Sequence, residues 1–448
     1  MRIVIIGVGE VGFHVAKALS IEDHDITVID INPDKCRRAS EHLDVIVVQG
    51  NGASPKNLLQ ANIEGADYVL ALTRVDEVNL IASQQAHLLG AKKIIARLRN
   101  QQYSTRESII RPEKFGIDLV IHPEKAACQE IVRLVRHPYS TQVMEFEGGR
   151  LLMLGFRIVS KSPIANQTVR KICADHQNLK FGIIGVLREG ETSIPWADFE
   201  FKTNDIAYFL IQKTDLENLL YMLGRRKKHS NRIMIVGASK IGRSVAGELQ
   251  DEMNVRILEN RREKAGYVAN ELGNTMVIYG DGTDVELLKS ENISEVDSFI
   301  TVTNNEQTNL LSSMLAHHLG VGQTMMHITT TEYMPIIQEI GIGVVISKNL
   351  STVNSIMREI RSDQNEMSVM SFDEIDVEVM EFNPEIGSKV TLRPLEELAF
   401  PKDSIVGVIN HHGHLSIARG NSQLTSEDTV LVFAKQSAIP KLKKLFIV

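Results

Sequence analysis

The chain opens Met1-Arg-Ile-Val-Ile-Ile-Gly7-Val8-Gly9-Glu10-Val11-Gly12, and its middle reads Arg232-Ile-Met-Ile-Val-Gly237-Ala238-Ser239-Lys240-Ile241-Gly242. Each stretch is a short apolar run, a glycine turn and the start of a helical pattern. Gly7 to Gly237, Gly50 to Gly280, Asn79 to Asn309 and Gly90 to Gly320 all span 230 positions (237 − 7 = 230). One offset shared by scattered landmarks means that a whole domain is duplicated, not a motif.

Around the first turn, apolar runs at 2–6, 26–30, 44–48, 67–72, 93–97 and 118–121 alternate with helical segments at 11–20, 54–61, 77–89 and 124–135. Runs without in–out alternation belong to parallel strands buried on both faces. Right-handed crossovers then give a doubly wound sheet. The second copy repeats the order from 232 to 361. A smaller β-rich unit follows each copy, and Gly185 matches Gly407 as Asp205 matches Asp428. The expected fold is α/β: two Rossmann-like parallel-sheet domains, 1–135 and 231–361, each followed by a small α+β domain, 143–223 and 373–448. The polar stretches 136–142, 224–231 and 362–372 read as linkers.

Bulk composition narrows the function classes. The 448 residues are 43% hydrophobic and 23% charged, ordinary for a globular chain, and no apolar run is long enough to span a bilayer. The first residues form a core strand, so no signal peptide is expected. Three scattered cysteines (Cys36, Cys128, Cys173) make neither a disulfide framework nor a metal set, as in a reducing cytosol. A net charge of −7 argues against a nucleic-acid partner. The basic run at 225–229 reads as a solvated connection between the copies.

The first glycine turn has the spacing of a dinucleotide site. Gly7 permits the tight turn, Gly9 leaves room for a pyrophosphate, and Gly12 lets helix and sheet approach. The helix beginning at Glu10 and Val11 directs free N–H groups and a positive dipole end at the phosphates. Asp30 ends the second strand, where a carboxylate holds ribose hydroxyls and repels a 2′-phosphate, favouring NAD over NADP. Asn51 in the Gly50–Ser54 stretch, Thr73 after the fourth strand and Arg97 after the fifth are further candidates at the carboxyl edge, for the adenine and a phosphate. The second copy offers Gly237, Ala238, Ser239, Lys240, Ile241, Gly242, Glu259, Asp281 and Thr303. There Ser239 replaces the middle glycine, so its Cβ crowds a pyrophosphate unless its hydroxyl donates to one. The second pocket is therefore open to a different nucleotide, to an AMP-like ligand or to none.

No catalytic constellation accompanies these pockets. There is no P-loop, zinc signature or nucleophile elbow, and the small units offer no acid–base set beside a nicotinamide. His411, His412 and His414 read as a surface hairpin turn, and Trp196 and Phe199 as packing in the first small domain. A chain that binds nucleotides without machinery to react with them reads as a sensor.

The segments Ile3–Gly12, Val28–Asp30, Gly50–Ser54 and Ala71–Asn79, with their partner Thr301–Asn309, resemble the regulatory nucleotide-binding domains of potassium channels and transporters, the RCK or KTN family. The tandem order over the entire chain resembles the RCK regulatory subunits of bacterial potassium uptake. The resemblance implies a non-enzymatic cytoplasmic protein, peripheral on the inner face of the cell membrane, that assembles as a homotetramer. Its eight nucleotide domains would form a ring beneath a membrane pore subunit and gate potassium flux. NAD(H), with ATP or ADP, would be the ligands, at Gly7 to Val11, Asp30, Thr73 and Arg97 and at Gly237 to Ile241, Glu259 and Thr303. In some relatives an acidic residue after the sixth strand binds a divalent cation. Glu124 stands near that position, but Lys348 or Asn349 replaces it in the second copy, and no metal is expected. The alternatives are a free-standing nucleotide sensor and a NAD-dependent oxidoreductase with an unrecognised site.

Overall fold

The computed structural model describes residues 1–22, 24–103, 111–138, 140–225, 231–330, 333–364, 368–372 and 377–447. Residues 226–229 of the basic run, and parts of all three expected linkers, lie outside that set. The chain forms two compact units, one from Met1–Ile131 with Arg232–Met357, the other from Val132–Asn231 with Arg358–Val448. Like therefore packs with like: the two large sheets share one unit and the two small sheets the other.

In the first copy the elements are β1 (Arg2–Ile6), α1 (Glu10–Ile21), β2 (Asp25–Asp30), α2 (Pro33–His42), β3 (Ile46–Gln49), α3 (Pro55–Gln60), β4 (Tyr68–Ala71), α4 (Asp76–Leu88), β5 (Lys93–Arg97), β6 (Leu119–Ile121) and α5 (Pro123–Arg136). The first small part holds β7 (Gln142–Phe146), β8 (Leu151–Arg157), α6 (Val169–Asp175), β9 (Phe181–Arg188), β10 (Glu191–Ser193), β11 (Ile206–Gln212) and α7 (Leu216–Met222). The second copy runs β12 (Arg232–Val236), α8 (Lys240–Leu249), β13 (Asn254–Glu259), α9 (Arg262–Glu271), β14 (Met276–Tyr279), α10 (Val285–Ser290), β15 (Ser298–Thr301), α11 (Glu306–His318), β16 (Gln323–His327), α12 (Met334–Ile340), β17 (Val344–Ile346) and α13 (Lys348–Gln364). The last part holds β18 (Ser368–Phe372), β19 (Val377–Phe382), α14 (Lys389–Leu392), β20 (Ser404–His411), β21 (His414–Ile417), β22 (Asp428–Ala434) and α15 (Ile439–Phe446).

Both large sheets are parallel and six-stranded, ordered β3-β2-β1-β4-β5-β6 and β14-β13-β12-β15-β16-β17. The central strands are buried on both faces, as their unbroken apolar runs require: Ile3 to Ile6 and Val69 to Ala71 have no exposed surface. The strand order reverses between β1 and β4, which opens a crevice beyond their carboxyl ends. The copies touch through α5: Cys128 Sγ donates to Glu248 Oε1 of α8 at 3.8 Å, and Ser351 Oγ of α13 donates to Glu130 Oε2 at 2.6 Å. Burial, and next the Glu248 charge, push the Cys128 thiol up to about 12. It remains a neutral packing group.

The small sheets are antiparallel, ordered β10-β9-β11-β8-β7 and β18-β19-β22-β20-β21. Strand for strand these are one topology, so the duplication includes the small parts. Two readings need correction. Residues 362–372 are not simply a linker: α13 continues to Gln364, and Ser368–Phe372 pairs antiparallel with β19 as an edge strand. An edge strand satisfies its backbone on one side only, and five residues with two serines carry a weak apolar signal. Trp196 does not simply pack its own small domain. It is half exposed and its Nε1–H donates to the Lys402 carbonyl of the other small sheet at 2.7 Å. The two sheets share one core, in which Met153, Tyr208 and Leu210 meet Val379, Val408 and Phe433.

Candidate functional site

The crevice above β1 and β4 is a cavity of about 560 Å³ lined by Gly7, Gly9, Glu10, Val11, Asp30, Asn51, Thr73 and Arg97, among others. Each glycine of the turn has a distinct geometric reason. Gly7 has φ +99°, and a Cβ there would lie 2.8 Å from the Thr73 nitrogen. Gly12 sits where a Cβ would come within 1.9 Å of the Gly7 carbonyl oxygen, so helix and strand touch backbone to backbone. Gly9 is different: it caps α1 with φ −75°, and a Cβ would meet only Lys35 Nζ, at 4.0 Å. Its missing side chain leaves space in the cavity itself. The amides opening α1 face that space without a side-chain cap.

Asp30 is buried, and its carboxylate accepts from the Val8 amide at 2.7 Å and the Asn32 amide at 2.9 Å. It thus clamps the glycine turn to the end of β2, with Lys35 Nζ at 3.9 Å. Lone pairs remain for a ligand, because an ionised carboxylate offers about four acceptor sites. Thr73 is held by Asn79, whose Oδ1 accepts from the Thr73 amide at 3.0 Å and hydroxyl at 2.6 Å. Asn79 Nδ2 donates to the Thr73 carbonyl at 3.1 Å and the Arg97 carbonyl at 2.7 Å. This fully buried amide fixes the exits of β4 and β5 together. Asn51 Oδ1 accepts the Ala53 amide at 2.9 Å, turning the chain after β3.

Part of the lining comes from the second copy: Thr329, Lys348 and Asn349 join Arg74, Arg97 and Arg99 of the first. Arg97 is buried and its Nε has no hydrogen-bond partner. Burial pushes the Arg97 guanidinium down from its ordinary range, Glu124 pulls it up, and Arg99 and Arg74 push it down. Lys348 is lowered by burial first, with Glu124 opposing and the same arginines adding. Glu124 therefore faces cationic side chains. The net field in this wall is positive and suits an anion.

The second pocket is smaller, about 280 Å³, and lined by Gly237, Ser239, Glu259, Asp281 and Thr303 among others. Gly237 repeats the left-handed turn at φ +100°, and a Cβ on Gly242 would lie 2.3 Å from the Gly237 carbonyl oxygen. Ser239 turns its hydroxyl inward to accept the Gly242 amide at 3.3 Å, capping α8. Glu259 accepts from the Ala238 amide at 3.0 Å and pairs with Lys264 at 3.0 Å and Arg261 at 3.4 Å. Burial would raise the Glu259 carboxyl, but the Lys264 and Ala238 hydrogen bonds outweigh it and the net shift is down. Thr303 and Asn309 repeat the earlier lock, with hydroxyl to Oδ1 at 2.7 Å. Asp281 Oδ1 accepts from the Thr283 amide and hydroxyl, each at 2.8 Å. His327 stands where the first copy has Arg97, and burial, then Lys348, push it down to about 4. A neutral imidazole has replaced a guanidinium.

Several sequence candidates stand outside the cavities. Val8 and Gly12 shape the first turn from beneath, as Ala238, Ile241 and Gly242 shape the second. Lys240 reaches away, its Nζ donating to the Arg99 carbonyl of the first copy at 3.3 Å. Conversely, Lys35, Arg74, Arg99, Thr329, Lys348 and Asn349 were not read as site residues. Only Asn79, through its match with Asn309, carried a sequence signal. Thr329, Lys348 and Asn349 reach the cavity by packing between copies, which no local spacing encodes.

Two parallel sheets with these turns, each coupled in sequence to an antiparallel partner, define a tandem RCK-type protein. The chain matches the TrkA-N domain over residues 3–123 and 233–348 and the TrkA-C domain over 379–447. It is 32% identical over 455 residues to Trk system potassium uptake protein TrkA homolog 2 of Methanosarcina mazei, covering 100% of both chains. It is 30% identical over 450 residues to Trk system potassium uptake protein TrkA of Halomonas elongata, covering 100% of this chain and 98% of that one. Among solved structures, the GsuK RCK domain aligns with a TM-score of 0.59 at 18% identity, covering 99% of this chain and 94% of that one. The GsuK channel bound to NAD aligns at 0.58 and 16% identity, covering 99% and 78%. These two likenesses show the fold. The chain belongs to the TrkA family of Trk system potassium uptake proteins.

Proposed function

We propose that this chain is a cytoplasmic regulatory subunit that gates a membrane potassium uptake protein in response to NAD(H) and to ATP or ADP. Its working parts are the two nucleotide domains, 1–135 and 231–361, and the two small domains, 143–223 and 373–448. Four chains form a ring of eight RCK domains on the inner face of the membrane. Among the described residues no helix is long and apolar enough to cross a membrane, and in this reading the pore is supplied by a partner.

One observation carries the reading: the first cavity is walled by both copies, with Lys348, Thr329 and Asn349 lining it together with the glycine turn. A ligand there touches two bodies at once and favours the arrangement that closes on it. Gly7 to Val11 receive the pyrophosphate, Asp30 the ribose, and Arg97 a phosphate, while Asn51 and Thr73 border the base and the sugar. The second pocket, half the volume of the first, with Ser239 capping its helix and Glu259 paired with Lys264 and Arg261, takes a smaller, AMP-like nucleotide. A tenfold preference at one site is about 1.4 kcal/mol. Acting in four chains on one ring, it reaches the roughly 5.5 kcal/mol that moves a 1:99 equilibrium to 99:1. No catalytic step is needed.

The test is potassium uptake at low external potassium in a host lacking its own copy, complemented with wild type or with Gly9→Val. Restoration by wild type and not by the folded variant supports the reading. Equal restoration by both removes the nucleotide from the mechanism, and restoration by neither removes the transport partner.

A further inference from the structure

The hairpin closing the last sheet carries chemistry that the nucleotide pockets do not use. His411 ends β20 and pairs across the ladder with His414 at the start of β21. His412 and Gly413 make the turn with φ +51° and +87°, and Asn410 Oδ1 accepts the Gly413 amide at 2.8 Å. Asp428, which begins β22, and Glu427 just before it come alongside. His411 Nδ1 donates to the buried Asp428 carboxylate at 2.6 Å, which also accepts the Thr425 amide at 2.6 Å. His412 Nε2 lies 3.0 Å from Glu427 Oε2. One donor atom each from His411, His412 and Glu427 lies within 4.8 Å of the others.

The duplicated half supplies an internal control. At an offset of 223 (411 − 188 = 223), Arg188 stands for His411, Glu189 for His412, Asn204 for Glu427 and Asp205 for Asp428. Arg188 grips Asp205 through two hydrogen bonds of 2.8 and 2.7 Å, and Glu189 and Gly190 turn with φ +52° and +82°. The fold thus needs a donor for the buried aspartate and a left-handed turn. A guanidinium fork meets the first need better than an imidazole does. What the second hairpin gains by its exchanges is a set of ligands.

We propose that His411, His412 and Glu427 bind a divalent transition metal of the zinc class, with Asp428 as the outer carboxylate. Imidazole and carboxylate donors suit such ions. A carboxylate on Nδ1–H fixes the tautomer that leaves Nε2 of His411 to the metal. In a tetrahedral zinc site, bonds of ~2.05 Å put ligand atoms roughly 3.3 Å apart, close to the spacing of His412 Nε2 and Glu427 Oε2. Water completes the coordination, since the side chains of His412 and Glu427 are 66% and 64% exposed.

The test uses the full chain without added histidine tags. Zinc binding is measured by calorimetry, and cobalt(II) is added as a spectroscopic probe. Wild type should bind one zinc equivalent that His411→Arg lacks, and cobalt should give visible bands of tetrahedral intensity. His411→Arg restores the first hairpin's own pair with the aspartate, so the fold is kept, as circular dichroism will report. Glu427→Gln should weaken zinc at least about tenfold. Wild-type zinc binding by both variants, or no binding by wild type at submillimolar zinc, overturns the site.

Discussion

Asp30 Oδ2 accepts the Val8 amide at 2.7 Å, so the carboxylate at the end of β2 holds the glycine turn that begins after β1. A residue read from sequence as a ribose ligand is also a fastening of the glycine turn itself.

Asp30→Ala should therefore have two effects. It leaves the Val8 and Asn32 amides without their acceptor, which costs about 1–3 kcal/mol of stability. It should weaken NAD(H) by a similar amount. Urea unfolding and calorimetric titration of the same sample separate them. An unchanged midpoint would reject the fastening, and an unchanged affinity the ribose role.

Gly9 and Gly12 should respond oppositely to a side chain. Gly9→Val places its bulk in open cavity and should abolish binding at the first pocket with little loss of stability. Gly12→Ala drives a methyl to within 1.9 Å of the Gly7 carbonyl oxygen and should destabilise by about 1–3 kcal/mol. If Gly9→Val unfolds the chain, its glycine is structural instead.

Lys348→Ala tests the wall contributed by the second copy. Removing this half-buried cation should weaken a nucleotide diphosphate or triphosphate at the first pocket about tenfold, in the range of a charge-assisted hydrogen bond. Binding at the second pocket should not change. Equal affinity in wild type and variant would mean that the first copy binds its ligand alone.

His327 gives a pH dependence of definite sign. Its folded value of about 4 is depressed from 6.5, because charging it would place a cation in a buried site beside Lys348. The unfolded chain binds the proton first, so stability is fully present above about pH 6.5 and declines as pH falls toward about 4. Urea midpoints across that window should fall less steeply in His327→Gln. Identical slopes would show that the imidazole is not the group responsible.

The legible part of the fold was the part with a repeated local signal. Ile3 to Ile6 and Ile233 to Val236 announce buried parallel strands because every position is apolar, and the turns after them need glycine for steric reasons that do not depend on the rest of the chain. Ser368–Phe372 was missed because an edge strand has one bare side and two serines among five residues. Trp196 was misplaced because its Nε1–H partner, the Lys402 carbonyl, is 206 positions away. In the candidate site, Asp30 and Thr73 were found from their positions at strand ends. Asp30's grip on Val8 and Asn79's on Thr73 became visible only with distances.

The sequence by itself determined that one α/β domain and its β-rich companion occur twice, and where each turn must have glycine. Steric limits on backbone and burial periodicity are local, so residue order records them directly. Tertiary structure alone decided that like packs with like, that Lys348 and Asn349 wall a cavity opened by Gly7 and Gly9, and that Glu427 and Asp428 come beside His411 and His412. Those relations rest on packing and charge between segments far apart in the chain, and neither has a period or a spacing to read.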